Sequence, residues 1–407
     1  MVPRPDPKQP NRSLRILMIA PQPFFSPRGT PFSVLHRIKA LSMLGHHIDL
    51  VTYGYGEDIS IQNLSIFRSA KLPGVKQIKI GPSKAKLFLD VGLWRCSRKM
   101  LKQGQYDLLH THEEASFWGV NLSRRFKIPH LYDMHSSLPQ QLDNFRFTRS
   151  KLLKSLFARL EKRAIMNANA MITICPELQR YVKEHYPQKT SVMIENVADN
   201  SMIFPVTDKD RQNLQMRFGL EGKRVVLYYG TFEAYQGIDL LIDSAEHLVR
   251  QKVARDLHFL LVGGGEEQVR RYQGVVQRKG LDSLFTFTGF MSPQFIPGLI
   301  DIAEILVSPR LAGNNSPLKI YSYLRSGRPI VATNHITHTQ VLNPKVAVLT
   351  DLTSEAFAQG IAELLRNPEK GRTLAAAAKA LADEQYSYTN YLKNVEWIIE
   401  QAVGTAR

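Results

Sequence analysis

A lysine in the segment NNSPLKIYSYLRSGRPIVAT, residues 314–333, stands where a helix tolerates cations least. Ser316 and Pro317 are typical of a helix N-cap and first helical residue, so Lys319 is predicted to lie in the first turn. Unsatisfied N–H groups there carry partial positive charge, which disfavours a lysine by only ~0.3–1 kcal/mol. An anion bound by Lys319 at this helix start would offset that cost, while a surface lysine is the plainer alternative.

Three other glycine-containing loops follow predicted strands and could carry chemistry. Residues 27–45, PRGTPFSVLHRIKALSMLG, place Gly29 before a predicted cap at Thr30. Residues 230–237, GTFEAYQG, and 263–268, GGGEEQ, leave two strands of the second half. Glycine allows close backbone approach, and exposed N–H groups at a helix start suit a phosphate. Each loop taken alone is explained as well by an ordinary turn.

The elements that position these loops form an α/β pattern from one end to the other. Short β-branched apolar runs alternate with helical patterns, which is typical of parallel sheets. In the first half these runs are RILMIA (15–20), HIDLVTY (47–53), LLHTH (108–112), HLYDMH (130–135), AMITI (170–174) and SVMIEN (191–196). In the second half they are VVLYYG (225–230), HFLLVGG (258–264), LFTFTG (284–289), EILVSP (304–309), PIVAT (329–333) and VAVLT (346–350).

The length of 407 residues and the renewed strand pattern predict two Rossmann-like domains. We place the N-terminal domain at 1–200 and the C-terminal domain at 201–385, with the linker inside the polar stretch 198–212. A last helical segment, 386–407, could pack back on the N-terminal domain. Ligands of such sheets bind beyond the carboxyl ends of the strands, where the glycine loops lie.

Composition excludes several classes of protein. The apolar fraction of 43% and charged fraction of 22% are those of a globular protein rather than a disordered one. Two distant cysteines, Cys96 and Cys175, indicate a reducing compartment with no disulfide framework and no zinc spacing. We expect a cytoplasmic protein, because the first dozen residues contain no signal-peptide core and no apolar run approaches the ~20 residues of a membrane span. A net charge of +17 predicts an anionic partner.

Several motifs in order resemble glycosyltransferase family 4, the retaining enzymes of GT-B fold. They are the glycine loop, SMLGHHIDLVTYG, LLHTHEEA, the DMH of HLYDMHSS, IENVAD, YYGTFEAYQGIDLL, LLVGGGEE, FTGFMSP and ILVSPRLAGNNSPLKIYSYLRSGRPIVATN. The resemblance covers nearly the whole chain. It implies two Rossmann-like domains facing across a cleft, with acceptor bound mainly by the first and donor mainly by the second.

The resemblance also implies a nucleotide-diphosphate sugar as donor and no cofactor or catalytic metal. His135 matches the histidine placed against the transferred sugar, and we assign Lys319 to stabilise the leaving diphosphate. His112, Glu113 and Asp133 are assigned to the acceptor side or the cleft. Donor-binding residues are expected at Gly29, Thr30, Gly230, Thr231, Gln236, Gly263, Gly264, Arg310, Asn314, Asn315, Ser316, Pro317, Leu318 and Ser322.

The sequence departs from the family at four positions. Asn314 and Ser322 stand where two glutamates eight residues apart are usual, and Thr231 and Gln236 replace a diphosphate-clamping arginine and lysine. Weaker donor affinity, an unusual donor or lost activity would follow. Two alternatives therefore stay open beside transfer: a non-catalytic sugar-nucleotide or glycan-binding protein, and a GT-B epimerase or phosphorylase.

Basic residues concentrate in two segments of the predicted acceptor domain. Ten Lys or Arg against Asp90 lie between residues 68 and 102, and seven against Glu161 lie in 145–163 among leucines and phenylalanines. Basic amphipathic helices bind anionic membranes, which suggests a peripheral enzyme with a lipid-linked acceptor; a core-facing stripe with a solvated basic back is the alternative. The absence of a recognisable reader motif argues against nucleic acid. The sequence sets no oligomeric state.

Overall fold

Two separate parallel β-sheets organise the chain, one in each of two compact units. The units comprise Met1–Asn196 with Thr389–Arg407, here called the N-terminal unit, and Val197–Tyr388, the C-terminal unit. The structure, a computed structural model, describes residues 12–26, 29–75, 78, 84–137, 151–195, 206–253 and 255–404. None of the helices within these residues is both long enough and apolar enough to cross a membrane.

The N-terminal unit contains a seven-stranded parallel sheet in the order β3-β2-β1-β4-β5-β6-β7. Its strands are β1 (Arg15–Ala20), β2 (His47–Thr52), β3 (Leu64–Arg68), β4 (Leu108–His112), β5 (His130–Met134), β6 (Ala170–Thr173) and β7 (Ser191–Met193). The helices along it are α1 (Gly29–Met43), α2 (Lys84–Gln103), α3 (Ala115–Phe126), α4 (Lys151–Asn167) and α5 (Pro176–His185).

The C-terminal unit contains a six-stranded parallel sheet in the order β10-β9-β8-β11-β12-β13. Its strands are β8 (Arg224–Tyr229), β9 (Leu257–Val262), β10 (Phe285–Gly289), β11 (Ile305–Ser308), β12 (Ile330–Thr333) and β13 (Val348–Thr350). Its helices are α6 (Asp208–Phe218), α7 (Ile238–Arg250), α8 (Glu266–Arg278), α9 (Ile296–Ile302), α10 (Lys319–Arg325), α11 (Ile336–Thr339), α12 (Ser354–Arg366) and α13 (Pro368–Gln385).

The last helix, α14 (Tyr388–Gly404), returns to the N-terminal unit from Thr389 onwards. It buries one face through residues spaced three, four or seven apart: Tyr391, Val395, Ile398, Ile399 and Ala402. That spacing is the apolar stripe of a helix packed on a core. The chain thus completes its first unit with its final segment.

Every strand predicted from an apolar run is present, and the α/β fold class is confirmed. One strand was missed: β3, LSIFR, lies at the edge of its sheet and is only half-buried, so it lacks a continuous apolar run. Within the polar stretch 198–212, which was predicted to hold the linker, a capping box at Thr207 and Asp210 starts α6 at Asp208. Residues 198–205 of that stretch lie outside the described part of the chain.

The central strands of both sheets are buried on both faces, as parallel sheets covered by helices must be. β4 and β5 are buried along their entire length, although they contain His110, His112, His130 and Asp133. Burying so many polar groups is costly unless they find partners inside the protein. Their arrangement therefore defines the first part of the candidate site.

Candidate active site

The predicted site residues cluster at the topological switch point of each sheet. In the N-terminal unit the strand order reverses between β1 and β4, and in the C-terminal unit between β8 and β11. Ligands of doubly wound sheets bind beyond the carboxyl ends of the strands at this point. Among the described residues, each unit buries the side chain of a cationic residue near this point.

In the N-terminal unit that cation is Arg37 of α1, which forms an ion pair with Asp133 of β5. The Arg37 Nε donates to Asp133 Oδ2 at 2.9 Å, and the two side chains are 1% and 0% exposed. Arg37 Nη1 also donates to the hydroxyl of Tyr391 at 3.1 Å, and its guanidinium lies 5.3 Å from the centre of that ring. Helix α14 therefore holds the arginine together with the carboxylate of β5.

Three histidines surround the same carboxylate. His110 Nε2 lies 3.4 Å and His112 Nδ1 3.7 Å from Asp133 Oδ2, while His135 Nε2 lies 3.3 Å from Oδ1. Burial lowers the pKa of all three imidazoles, that of His135 to about 4, so they are neutral at physiological pH. Burial alone would raise the pKa of Asp133, but the charge of Arg37, helped by hydrogen bonding from His110, outweighs it and holds that pKa well below the usual range.

His110, His112 and Asp133 also bring three potential metal-ligand atoms within 4.8 Å of one another. The two imidazole rings are stacked, with centroids 4.7 Å apart and planes 24° apart. Imidazole binds a metal through a lone pair in the ring plane, and two nearly parallel stacked planes do not converge on a nearby ion. The negative charge of Asp133 is already balanced by Arg37. His110, His112 and Asp133 therefore fit an ion pair surrounded by neutral histidines better than a metal centre.

Glu113 follows β4 directly and stands beside this group. Its φ of 48° is a left-handed conformation that few non-glycine residues adopt. Its carboxylate lies 3.5 Å from the hydroxyl of Thr30, and the neighbouring Glu114 pairs with Lys86 at 3.5 Å. Burial, followed by Glu114, raises the pKa of Glu113. Thr30 and Glu113, predicted on opposite substrate sides, are thus neighbours.

In the C-terminal unit the buried cation is Lys319, the residue singled out from the sequence. It is 6% exposed, and its Nζ lies 3.8 Å from the centre of the Tyr228 ring, a cation–π contact. The ammonium makes no hydrogen bond to any residue that the structure describes. Burial, and then the charge of Arg310, lower its pKa well below the ordinary lysine value.

Loops after β8 and β9 pack closely beside this lysine. A Cβ on Gly230 would lie 3.4 Å from Lys319 Nζ, and a Cβ on Gly263 would lie only 2.0 Å from the Gly230 carbonyl oxygen. Gly263 has a φ of 119°, so both its space and its conformation require glycine. A Cβ on Gly264 would strike the ring of Phe232 at 2.4 Å.

Thr231 and Gln236, which the resemblance places where a cationic clamp is usual, are hydrogen-bonded to each other. Gln236 Nε2 donates to Thr231 Oγ1 at 3.3 Å, and the Thr231 carbonyl accepts from the Tyr228 hydroxyl at 2.7 Å. Gln236 Oε1 is buried without a hydrogen-bond partner among the described residues, and so is the Ser316 hydroxyl. Three buried polar atoms predicted for the donor side, on Gln236, Ser316 and Lys319, therefore have no hydrogen-bond partner among the described residues.

The remaining donor-side residues lie along the β11–α10 loop. Arg310 stacks on Tyr235, with its guanidinium 5.1 Å from the ring centre, and its Nε donates to the Ala312 carbonyl at 2.8 Å. The Asn314 carbonyl accepts from Gln340 Nε2 at 2.6 Å. The Ser322 hydroxyl is hydrogen-bonded to Tyr229. Asn315, Pro317 and Leu318 complete the loop before α10.

Comparison with known proteins identifies the family to which this fold belongs. The model of Glycosyltransferase Family 4 matches residues 27–200, and that of Glycosyl transferases group 1 matches residues 223–367, together more than three quarters of the chain. The chain belongs to this glycosyltransferase family. Its family and its fold identify it as a transferase that transfers sugar residues.

Two characterised relatives resemble this glycosyltransferase over most of both chains. Alpha-D-kanosaminyltransferase of Streptomyces kanamyceticus is 26% identical over 302 residues, 72% of this chain and 76% of its own. Mannosylfructose-phosphate synthase of Agrobacterium fabrum is 27% identical over 331 residues, 74% of this chain and 70% of its own.

Solved structures agree on the fold of the glycosyltransferase. Sucrose-phosphate synthase of Thermosynechococcus elongatus superimposes with a TM-score of 0.78 at 19% identity, covering 97% of this chain and 100% of that one. Anabaena HepE in complex with UDP-glucose gives 0.72 at 17% identity, covering 95% and 99%. The predicted GT-B fold, two parallel-sheet α/β domains, is confirmed.

Two local predictions about the glycosyltransferase were wrong. Helix α10 begins at Lys319 after an N-cap at Leu318, so Ser316 is not the cap and Pro317 is not the first helical residue. Instead, Ile320 N donates to the Pro317 carbonyl and Tyr321 N to the Leu318 carbonyl, a tight turn that leads into the helix. Helix α1 already includes Gly29, so Thr30 lies within its first turn rather than capping it.

Sequence reasoning missed the partners of the predicted residues. Arg37 and His110 lie beside Asp133, and the Tyr228 ring lies against Lys319. Tyr391 in turn accepts a hydrogen bond from Arg37. One signal was available for Arg37, because it interrupts the apolar spacing of α1 between Val34 and Leu41. Nothing in the sequence links Arg37 to Tyr391, since they are 354 residues apart.

Proposed function

We propose that the protein transfers a sugar from a nucleotide-diphosphate sugar to a hydroxyl of a lipid-linked or glycan acceptor, with retention of anomeric configuration. Family membership supports the reaction class. The similarity to HepE, solved with UDP and with UDP-glucose, supports the nucleotide-sugar donor. Gly230, Thr231 and Gln236 would bind this donor together with the glycine turn at Gly263 and Gly264.

The observation that carries the donor assignment is the buried ammonium of Lys319, which has no hydrogen-bond partner among the residues that the structure describes. Burying a charge without a partner costs several kcal/mol, or the group loses its charge. A buried lysine of this kind therefore indicates that a negatively charged ligand binds beside it. A diphosphate would supply the missing negative charge in a setting where charge pairs are stronger than in water. The unsatisfied Ser316 hydroxyl would donate to a phosphate oxygen, and Gln236 Oε1 would accept from a donor hydroxyl.

In the proposed reaction the bond between the anomeric carbon and the diphosphate oxygen breaks. The acceptor hydroxyl oxygen bonds to that carbon on the same face, and its proton leaves with the diphosphate. Lys319 stabilises the charge that develops on the leaving group. His135 contacts the transferred sugar, as the family resemblance implies. NMR of the product would show a retained anomeric configuration, and an inverted product would refute this mechanism.

A panel of nucleotide sugars tests the donor site, with binding measured by calorimetry and transfer by released nucleotide. Lys319→Ala should lower transfer by about 2–3 kcal/mol, roughly 30- to 150-fold, the range for losing one charge-stabilising donor. Lys345→Ala, which removes an exposed lysine of the same unit, is the matched control. Full activity in Lys319→Ala would remove this residue from the mechanism. Tight binding without turnover on any acceptor would favour a non-catalytic sugar-nucleotide-binding protein.

His135→Ala separates the role of the N-terminal cluster from that of Lys319. Because His135 is assigned to the transferred sugar rather than to the diphosphate, this variant should lose turnover while its affinity for the nucleotide changes little. The measurement is kcat for transfer beside calorimetric affinity for the nucleotide diphosphate. Unchanged kcat with weakened nucleotide affinity would reassign His135 to donor binding.

We propose further that the enzyme binds the cytoplasmic face of an anionic membrane through α2. Leu87, Phe88 and Val91 at the start of this helix are 61%, 68% and 47% exposed. A helix turns about 100° per residue, which places them on the same face as the cationic side chains further along. Those side chains line a shallow groove with Trp94: Arg95, Arg98, Lys99 and Lys102. The second predicted segment keeps Leu152 and Leu156 exposed on α4, while residues 145–150 lie outside the described chain.

Liposome sedimentation tests this surface. Binding to vesicles with anionic lipid should exceed binding to neutral vesicles and should weaken with salt. Phe88→Ser should reduce it, whereas Met216→Ser, which changes a residue of the C-terminal unit that is 60% exposed, should not. Equal binding of both variants would refute the assignment to α2. Tighter binding to duplex or single-stranded nucleic acid than to vesicles would refute the membrane proposal.

A further inference from the structure

The rings of His112 and His135 share a single proton in their hydrogen bond, and the charges around them determine which ring carries it. His112 Nδ1 and His135 Nε2 are 2.9 Å apart, a hydrogen bond in which one ring donates and the other accepts. Both rings are buried, at 0% and 4% exposure, so bulk water does not settle the choice. The tautomer of each ring must be set by neighbouring protein groups.

Asp133 is the charged group that distinguishes the two arrangements. Its Oδ1 lies 3.3 Å from His135 Nε2, whereas its Oδ2 lies 3.7 Å from His112 Nδ1 and already accepts from Arg37. Asp133 Oδ1 has no hydrogen bond to the described residues. The unsatisfied oxygen of the carboxylate therefore faces His135.

The electrostatics of these distances favour one tautomer. With the proton on His135 Nε2, the N–H donates to His112 Nδ1, and this N–H group, with its partially positive hydrogen, belongs to the nitrogen that lies 3.3 Å from the negative Oδ1 of Asp133. With the proton on His112 Nδ1, the Nε2 lone pair of His135 would face that same negative oxygen at 3.3 Å. Inside the protein, where the dielectric is low, attraction in the first case and repulsion in the second are both strong.

We propose that Asp133 is a positioning residue that fixes His135 as its Nε2–H tautomer, and that Arg37 and Tyr391 hold Asp133 in place. The consequence for activity rests on the proposed role of His135 in transfer. Tyr391 belongs to α14, so the final helix of the chain contributes to the geometry of a site built from β4 and β5. Because Asp133 is fully buried, it acts through His135 rather than by contact with the substrate.

Imidazole nitrogen NMR on the full-length protein tests the tautomer without any assay of activity. Long-range proton–nitrogen correlation spectra of protein labelled with ¹⁵N-histidine, assigned with His135→Gln, should show His135 protonated at Nε2 and bare at Nδ1. Protonation at Nδ1 in the wild type would overturn the proposal. This readout also separates a failure here from a failure of the proposed function, since an inactive protein still reports its tautomer.

Variants of the ion pair test what sets the tautomer. Asp133→Asn leaves Arg37 buried without a counter-ion and risks failing to fold, so the Arg37→Met/Asp133→Asn double variant is the safer partner. Either folded variant should show mixed tautomers at His135 and a 10- to 100-fold lower kcat, with donor KM within about threefold of wild type. A double variant that keeps the pure Nε2–H tautomer would overturn the role of Asp133.

The contribution of α14 is tested by Tyr391→Phe, which keeps the ring over Arg37 and removes only the hydroxyl. We expect a two- to tenfold lower kcat without a change in donor KM. Trp397→Phe on the same helix, at a residue 43% exposed, is the control. Identical kinetics in Tyr391→Phe and Trp397→Phe would remove Tyr391 from the network.

Discussion

The two units each bury one cation near the switch point of a sheet, and they treat it differently. Arg37 has a carboxylate at 2.9 Å and a tyrosine hydroxyl at 3.1 Å, so its charge is matched inside the protein. Lys319 rests on the face of Tyr228 with no hydrogen bond to the described residues. A matched charge orders its surroundings, whereas an unmatched one marks a place where an anion is expected.

Breaking the matched pair should give the largest effect on stability. Arg37→Met leaves Asp133 buried without a counter-ion, and we expect a loss of about 3–5 kcal/mol in the free energy of unfolding. Urea unfolding, with hydrogen exchange of β5 peptides to identify the unit, measures it. The Arg37→Met/Asp133→Asn double variant, which removes both charges, should lose less. A single variant as stable as the double one would show that the pair is not matched as described.

Acid should weaken both units through their neutral histidines. Burial lowers the pKa of His135 to about 4 and the pKa values of His130 and His338 to about 3. The unfolded chain protonates these histidines near pH 6.5 and the folded chain does not, so their contribution to stability is full above that pH and is lost as pH drops towards 4. His135 alone should account for about 3 kcal/mol of the loss.

Unfolding by urea at several pH values between neutral and about 4 checks this window. The carboxylate of Asp133 adds nothing there, because its lowered pKa stabilises the fold at every pH above its unfolded value and fails only at lower pH. His338→Gln should reduce the acid sensitivity of the C-terminal unit alone. Stability of the C-terminal unit that stays flat from pH 6.5 downwards would contradict the burial of a neutral His338.

Removing the unmatched cation should have the opposite sign to removing the matched one. Lys319→Met takes an unpaired charge out of the interior, and we expect the ligand-free protein to gain about 1–3 kcal/mol. Nucleoside diphosphates should stabilise the wild type in thermal denaturation and leave the variant nearly unchanged. Lys345→Met, at an exposed site, controls for the change in composition. A destabilised Lys319→Met would show that the lysine serves the fold rather than a ligand.

The smallest expected effect is a proton taken up on binding. The pKa of Lys319 is lowered in the free protein, first by burial and then by Arg310, and a bound diphosphate would raise it again. Binding should therefore take up protons wherever the free lysine has begun to lose its own, and affinity should fall as pH rises through that range. Calorimetry in two buffers of different ionisation enthalpy measures the uptake. Proton release would contradict a cation at this position.

Local sequence patterns predicted most of the fold and part of the candidate site. Apolar runs with glycine turns located the strands other than β3, whose half-buried edge position leaves no such run. His135 and the glycines at 230 and 263 were recognisable because they directly follow strands, whereas Lys319 was recognised from its place in the first turn of a predicted helix. The start of α10 was misplaced, because Pro317 and Leu318 form a tight turn ahead of the helix rather than its first residues.

By itself the sequence determined the alternation of strands and helices, the loops at the strand ends and the residue types within them, because each depends on neighbours a few positions away. Only the tertiary structure decided which buried charge has a partner. Asp133 pairs with Arg37, 96 residues away in the sequence, through the crossover connections of the sheet. Arg37 is hydrogen-bonded to Tyr391, 354 residues away, because the final helix returns to the N-terminal unit. Whether a charge is matched depends on such distant contacts, which leave no periodic signal along the chain.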